Sequence, residues 1–520
     1  MNGAESLVHT LLDAGVDTCF ANPGTSEMHF VSALDRIDGM RCVLGLFEGV
    51  VTGAADGYYR MAERPAATLL HLGPGLANGL ANLHNARKAR SGIVNVVGEH
   101  ATAHLALDAP LTSDIEGLAR PMSHWVHTVR SADGIAQDGR EAVAQASGRP
   151  GRIATLALPA DMAWSTVQEA PQPLGAVHAP EARAVAQDAV ISATRTLKHH
   201  GGSTLLLLGG RAVRARATEW AGRIAAATGC GVMSEFYAER IERGAGRVAI
   251  PRLPYSVQGA VEVLSRYEHI VLVCAAEPVA FFGYPDKPGR LASAQTTFTT
   301  LATHAEDPAE ALRMVCEELG AMRVQPVTCA RLIPSADYEE GPLTPASIGT
   351  LLSTLIPENA IVVDEAISTG RAFDLTTRDA APHDWLTNMG GSIGFGLPVA
   401  VGAAIAARDR RVIALEGDGS AMYTLQSLWT MARESLNVTV VVFANRNYQI
   451  LRGEYAQVGA GSPGQRASDM LSIDRPALDW TALAAGHGVP ACRVDTLGQL
   501  ADAMRRANAS DGPSLIEIVM

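Results

Sequence analysis

The stretch Gly417-Asp418-Gly419-Ser420 sets a carboxylate inside a glycine turn, and Asn445 offers a side-chain amide one strand–helix–strand unit later. Arg411–Glu416 reads as a strand. Leu425, Leu428, Trp429 and Ala432 then recur at helical spacing, and Val438–Ala444 reads as the next strand. A right-handed crossover of this kind brings both strand C-ends to one sheet edge, so Asp418 and Asn445 can meet. Carboxylate and amide oxygens are hard ligands that suit Mg2+, which keeps water and phosphate oxygens in its remaining positions. Gly419 and Ser420 stand where a helix opens, and free N–H groups and the helix dipole favour an anion there. The pattern points to a metal-bridged diphosphate cradle. The competing reading is a plain tight turn, with Asn445 as a helix cap.

A second set of polar turns lies near the start of the chain. Asn22-Pro23-Gly24-Thr25-Ser26-Glu27, Glu48 and His71-Leu72-Gly73-Pro74-Gly75 each follow an apolar run. If those runs are parallel strands, the three turns line the edge where open α/β sheets bind ligands. Taken alone, Glu48 at a helix start is a dipole partner, and His71 after an apolar strand is a satisfied core residue. The stretch Gly49–Gly57 is rich in small residues and permits close backbone approach to another element. Gly390-Gly391-Ser392-Ile393-Gly394-Phe395-Gly396 reads by itself as a glycine-rich strand-to-helix turn with Ile393 in the core.

The elements that must position these residues alternate short β-rich runs with amphipathic stretches, which predicts parallel sheets covered by helices. Strands are expected at Thr18–Ala21, Cys42–Phe47, Ala67–His71 and Ile93–Gly98, then at Thr204–Gly209 and His269–Ala275, and again at Ile361–Asp364. Val167–Ala184 and Gln325–Pro345 read as linkers. The fold class is α/β, with three doubly wound parallel-sheet domains expected at 1–166, 186–325 and 341–520. Leu205-Leu-Leu-Leu-Gly-Gly210 ends a buried strand in glycines, but no GxGxxG follows, so it is a weak nucleotide signal.

The 520 residues are 47% apolar and 18% charged, enough for sizeable cores. A net charge of −12 without a basic run argues against nucleic acid or an anionic membrane as partner. Seven cysteines stand singly with no CxxC, so neither disulfides nor structural zinc are expected and a reducing, cytoplasmic setting is the simpler reading. No apolar run approaches the roughly 20 residues that span a bilayer, and no export signal is expected.

GDGS followed by Asn445 resembles the fingerprint of the thiamine-diphosphate enzymes that include pyruvate decarboxylase, acetolactate synthase and benzoylformate decarboxylase. That family usually has a double Asn; here Ala444-Asn445 keeps the second. The resemblance implies that Asp418, Asn445 and the backbone carbonyl of Asn447 bind Mg2+, and that Ser368, Gly419, Ser420 and Tyr448 contact the diphosphate. Ile393 would be the wedge that bends the cofactor, and the Gly391 carbonyl would accept from its aminopyrimidine. FEGVVTGAADGYYR is similar to the segment whose acid, here Glu48, protonates the aminopyrimidine and so activates the cofactor. HLGPGLANG and NPGTSE resemble the benzoylformate decarboxylase branch, which implies that His71 shuttles a proton and that Thr25 helps hold the substrate carboxylate. Asn78 is given no catalytic role.

Departures from the branch shape the substrate expectation. The segment Glu277–Tyr284 lacks the branch's second active-site histidine, and Glu454 falls where an apolar aromatic is expected. Leu451 and Glu454 are pocket candidates, and a small or polar 2-keto acid is expected over an aryl one. No flavin is expected in the middle block. Family architecture implies a homodimer as the minimum and a homotetramer as the expected form. The alternatives are an acetolactate-synthase-like carboligase, a catalytically idle cofactor-binding subunit, and an unrelated nucleotide-binding protein.

Overall fold

The computed structural model describes residues 1–168, 172–327, 329–332 and 339–520. Residues 169–171, 328 and 333–338 of the two expected linkers lie outside the described residues. Three sheets organise the chain. The first runs Arg41–Leu44, Thr18–Asn22, Ala66–Leu70, Ile93–Glu99, Ile153–Pro159, Trp125–Thr128, all parallel. The middle sheet runs Thr297–Ala302, His269–Val273, Thr204–Leu208, Gly231–Ser234, also parallel. The third runs Ala491–Val494, Ser514–Val519, Val438–Ala444, Val412–Gly417, Ile361–Glu365, His383–Thr387 and ends on Ile241–Arg243.

That last strand comes from the middle block and is the sheet's one antiparallel member among the described residues, pairing Arg243 with His383. The expected strand Cys42–Phe47 stops at Leu44. Phe47 instead takes extended backbone as the N-cap of the helix Glu48–Ala62.

Strand order explains why the polar turns converge. In the first sheet the chain leaves Thr18–Asn22 toward one edge, then crosses to Ala66–Leu70 on the other side. In the third it leaves Ile361–Glu365 toward His383–Thr387, then crosses back to Val412–Gly417. Each reversal opens a crevice outside the strand C-ends. The Asn22–Glu27 and His71–Gly75 turns fall at the first crevice, and Ser368 and GDGS fall at the second.

The helices Glu48–Ala62 and Gly396–Ala406 lock the outer blocks together. A Cβ on Gly57 would lie 2.1 Å from the Val399 carbonyl oxygen, and one on Gly402 would lie 1.8 Å from that of Ala54. Apolar residues of both blocks form one continuous core around this contact. Arg60 adds a polar tie. It pairs with Asp56 at 2.7 Å and donates to the carbonyls of Thr387 (2.7 Å) and Glu239 (3.2 Å). Gly402→Ala should therefore force the helices apart and cost about 1–3 kcal/mol, read as a lower urea midpoint. Gly453→Ala, with nothing within 4 Å of its added Cβ, should be neutral or slightly stabilising.

No helix among the described residues is long and apolar enough to cross a membrane.

Candidate active site

His71 caps the helix Leu72–Ala89, and Leu72 immediately after it sits at φ +53°. Left-handed backbone at a non-glycine residue is costly and tends to mark functional turns. The turn aims the His71 ring at Glu27, whose Oε2 lies 2.7 Å from Nδ1. The same carboxylate oxygen accepts the Gly24 N–H at 2.7 Å, while Oε1 has no partner. Glu27 is only 2% exposed, pressed against Gly98, where a Cβ would lie 1.6 Å from Oε1. Gly24 is equally confined, since its Cβ would meet the His71 ring at 2.4 Å. Thr25 stands exposed at the start of this turn.

Glu48 opens its helix nearly buried, at 9% exposure, and its Oε2 accepts the Asn78 amide N–H at 3.0 Å. A Cβ on Gly75 would touch both Glu48 Oε1 (3.2 Å) and the His71 Cβ (3.4 Å), so acid and imidazole flank one glycine. Sequence reasoning missed Glu27 and Asn78. Each holds a partner 44 or 30 positions away, with no local signal of the contact.

In the third sheet, Gly417 pairs with Phe443 across neighbouring parallel strands, which brings GDGS against the turn at Asn445. Asp418 Oδ1 accepts the Gly419 N–H at 2.9 Å, and Oδ2 accepts the Arg446 N–H at 2.5 Å. Arg446 is the left-handed residue of this second turn, at φ +57°. Asn445 Oδ1 accepts the Asn447 N–H at 2.9 Å. The Tyr448 ring lies against Gly419, 2.6 Å from where a Cβ would stand. The Ser420 hydroxyl turns inward, within hydrogen-bond reach of Glu416 Oε2 (3.1 Å) and the Gly417 carbonyl (3.0 Å). That leaves Ser420 its backbone for an anion. Ser368 caps the short turn Thr369–Ala372, just after the strand Ile361–Glu365.

The Gly390–Gly396 turn is held from both sides. Asn388 accepts the Gly390 and Gly391 N–H groups at 3.1 and 2.8 Å. Asn85 exchanges bonds with Ser392, and Asn82 donates both to the Gly394 carbonyl (3.1 Å) and to that of Gly49, next to Glu48 (2.8 Å). Glu365 accepts three successive N–H groups, from Gly394, Phe395 and Gly396, at 2.8–3.1 Å. Burial pushes the Glu365 carboxyl up to about 7, and that of its register neighbour Glu416 well above the usual carboxylate range. Gly391 and Gly394 need glycine at φ +75° and +94°. Ile393 is half-buried, whereas Phe395 and Leu397 fill the core.

An aromatic group from the middle block covers this turn. Phe281, 43% exposed, would lie 2.8 Å from a Cβ on Gly391, and it contacts Tyr237, Tyr255 and Phe282. Tyr284 donates to Glu454 Oε2 at 2.8 Å. Glu454 and Leu451 sit on the helix Gln449–Gln457, which buries no side chain of its own.

Residues 1–122 match the family model described as the N-terminal TPP binding domain of thiamine pyrophosphate enzymes, and residues 369–518 match the corresponding C-terminal TPP binding domain. The whole chain is 48% identical to a Mycobacterium tuberculosis protein named "Putative acetolactate synthase large subunit IlvX", covering 99% of it. The chain belongs to the thiamine-diphosphate-dependent enzyme family. It is also 30% identical to a benzoylformate decarboxylase of Pseudomonas aeruginosa, over 97% of this chain and 96% of that one. Its fold matches the Rhodococcus jostii thiamine diphosphate-dependent 4-hydroxybenzoylformate decarboxylase with a TM-score of 0.82, at 26% identity over 99% of this chain and 98% of that one. These relatives are of the transferase and lyase kinds.

In this thiamine-diphosphate enzyme the residues at the third sheet's edge fit a hard divalent cation with a diphosphate. Burial pushes the Asp418 carboxyl up to about 6, against the pull of the Arg446 and Gly419 N–H groups. Among the described residues it has no arginine or lysine within ion-pair distance, so a cation would supply a missing counter-charge. No group of three His, Cys, Asp or Glu side chains surrounds a common point among the described residues. A metal would therefore lean on amide, carbonyl and phosphate oxygens, as Mg2+ does.

Proposed function

We propose that the enzyme is a Mg2+-dependent 2-keto acid decarboxylase or carboligase, similar to benzoylformate decarboxylase but with a non-aryl pocket. The observation that carries this reading is the Glu27–His71 pair beside Glu48. When bound, thiamine diphosphate supplies the carbanion that attacks the keto carbon and accepts the electron pair left behind by carbon dioxide. Asp418, the Asn445 side chain and the Asn447 carbonyl hold Mg2+. Gly419, Ser420, Ser368 and Tyr448 bind the diphosphate, and Gly391 and Ile393 support the middle of the cofactor. Glu48, whose Oε2 accepts from Asn78, would exchange a proton with the cofactor's aminopyrimidine. Glu27 Oε2 already accepts from Gly24, so in its ionised form it also accepts from His71 Nδ1–H. That leaves His71 Nε2 free to take or give a proton. Thr25 offers a hydroxyl to the substrate carboxylate.

We assign the aminopyrimidine-binding, middle and diphosphate-binding domains to 1–166, 186–325 and 341–520. Glu48 of one copy serves the Asp418 site of another, which makes a homodimer the minimum and a homotetramer the expected form, in the cytoplasm. No flavin is assigned to the middle domain.

An acetolactate-synthase-like carboligase is the second reading. It is favoured by the name of the 48%-identical relative and by the lack of a histidine in Glu277–Tyr284.

Carbon dioxide release from a panel of 2-keto acids tests the proposal. Acids with short or polar side chains should turn over at least roughly ten-fold faster than benzoylformate, and Glu454→Leu should narrow or reverse that preference. Absence of carbon dioxide from every acid, with cofactor and Mg2+ present, would exclude both readings. Hydroxyketone without free aldehyde would favour the second.

A further inference from the structure

A cavity of about 280 Å3 lies between the middle block and the third, beneath the edge strand Ile241–Arg243. Its charged lining is four arginines, Arg243, Arg247, Arg252 and Arg378, against two carboxylates, Glu242 and Asp374. The chain as a whole carries −12, so this excess of positive charge is local and opposite in sign.

The two carboxylates offset it only in part. Glu242 is turned to other cations, Arg240 at 3.3 Å and Arg214 at 3.8 Å, and accepts the Ala215 N–H. A single oxygen, Asp374 Oδ1, serves both Arg243 Nη1 at 3.1 Å and Arg252 Nε at 3.0 Å. Those two side chains are only 10% and 11% exposed. Arg247 is held by uncharged groups, the carbonyls of Arg243 and His383. Arg378 stands at the rim, 53% exposed, with its Nε on Asp379. Among the described residues, the Nη groups of Arg252 and Arg378 have no hydrogen-bond acceptor. Guanidinium groups in excess over carboxylates favour a bound anion, and their forked donors match phosphate and carboxylate oxygens.

We propose that this cavity binds a small dianion, a phosphate ester or a dicarboxylate, between Arg247, Arg252 and Arg378. The site is independent of the thiamine diphosphate reading. Asp374 stands six residues beyond Ser368 on the same connection, so an anion here adjoins the segment that leads from the diphosphate edge.

The test adds inorganic phosphate or malonate to protein holding saturating Mg2+ and thiamine diphosphate, so that the diphosphate cradle is already filled. Sodium chloride at equal ionic strength is the reference. At least one probe should raise the melting temperature by about 2–4 °C, saturating in the millimolar range. The better probe identifies the class of anion. Arg378→Gln, at the exposed rim, should weaken that response at least ten-fold while keeping the fold, and Arg252→Gln should do the same. The proposal is overturned if neither probe exceeds sodium chloride, or if both variants respond as the wild type does. Loss of the response in Asp418→Asn, with the arginine variants responding normally, would place the anion in the cofactor cradle and also overturn it.

Discussion

Glu48→Gln should lower turnover by roughly 10²–10⁴-fold, the range that general acid–base groups contribute. The amide is nearly isosteric, and its oxygen can still accept from Asn78, now 3.0 Å from Glu48 Oε2. What it loses is the ability to hold and release a proton at that position. Thermal stabilisation by Mg2+ and thiamine diphosphate should therefore persist while carbon dioxide release collapses. Activity within a few-fold of wild type would remove Glu48 from the chemistry. Loss of cofactor binding together with activity would make the residue a structural anchor instead. Asn78 lies one helical turn before Asn82, which donates to the carbonyls of both Gly49 and Gly394.

The second large effect is expected at Asp418. Ligand at about 100 times its dissociation constant stabilises the native state by roughly 2.7 kcal/mol. Asp418→Asn should abolish most of that gain, because the charge that a divalent cation would balance is gone. The protein without cofactor should melt near the wild-type temperature. Burial already disfavours the ionised carboxylate, and an amide oxygen can still accept from Gly419. Chelation of Mg2+ from the wild type should reproduce the loss. Undiminished stabilisation in Asp418→Asn would show that the diphosphate is held without this residue.

The site's turns were legible as sequence because each is a local event. Strand, GDGS and helix follow within a dozen residues, and the same is true of the Asn22–Glu27 and His71–Gly75 turns. Alternation of apolar runs with glycine turns is enough to predict parallel α/β sheets, and a family fingerprint adds roles to particular positions. The partners that hold those residues in place were not legible. Glu27 meets His71 only because the strands before them are neighbours at the point where the first sheet reverses order. Glu365 reads as the ordinary end of a strand, yet it holds the backbone of Gly394, Phe395 and Gly396. The missing histidine in Glu277–Tyr284 was visible, but the placement of Phe281 over Gly391 was not. Nor was the tether from Tyr284 to Glu454.

Ile393 marks the boundary between the two kinds of information. By composition, an isoleucine in a glycine-rich turn belongs in a core, and its neighbours Phe395 and Leu397 do enter one. The turn leaves it half-buried because Asn388, Asn82, Asn85 and Glu365, drawn from distant positions, hold the surrounding backbone. The amino-acid order by itself determined the sheet class, the polar turns and the identities of the residues that could bind metal, diphosphate and proton. Tertiary structure alone decided which of them are aimed, buried and partnered. Secondary structure responds to neighbours a few residues away, whereas burial and hydrogen-bond geometry depend on strand order and on packing between blocks hundreds of residues apart.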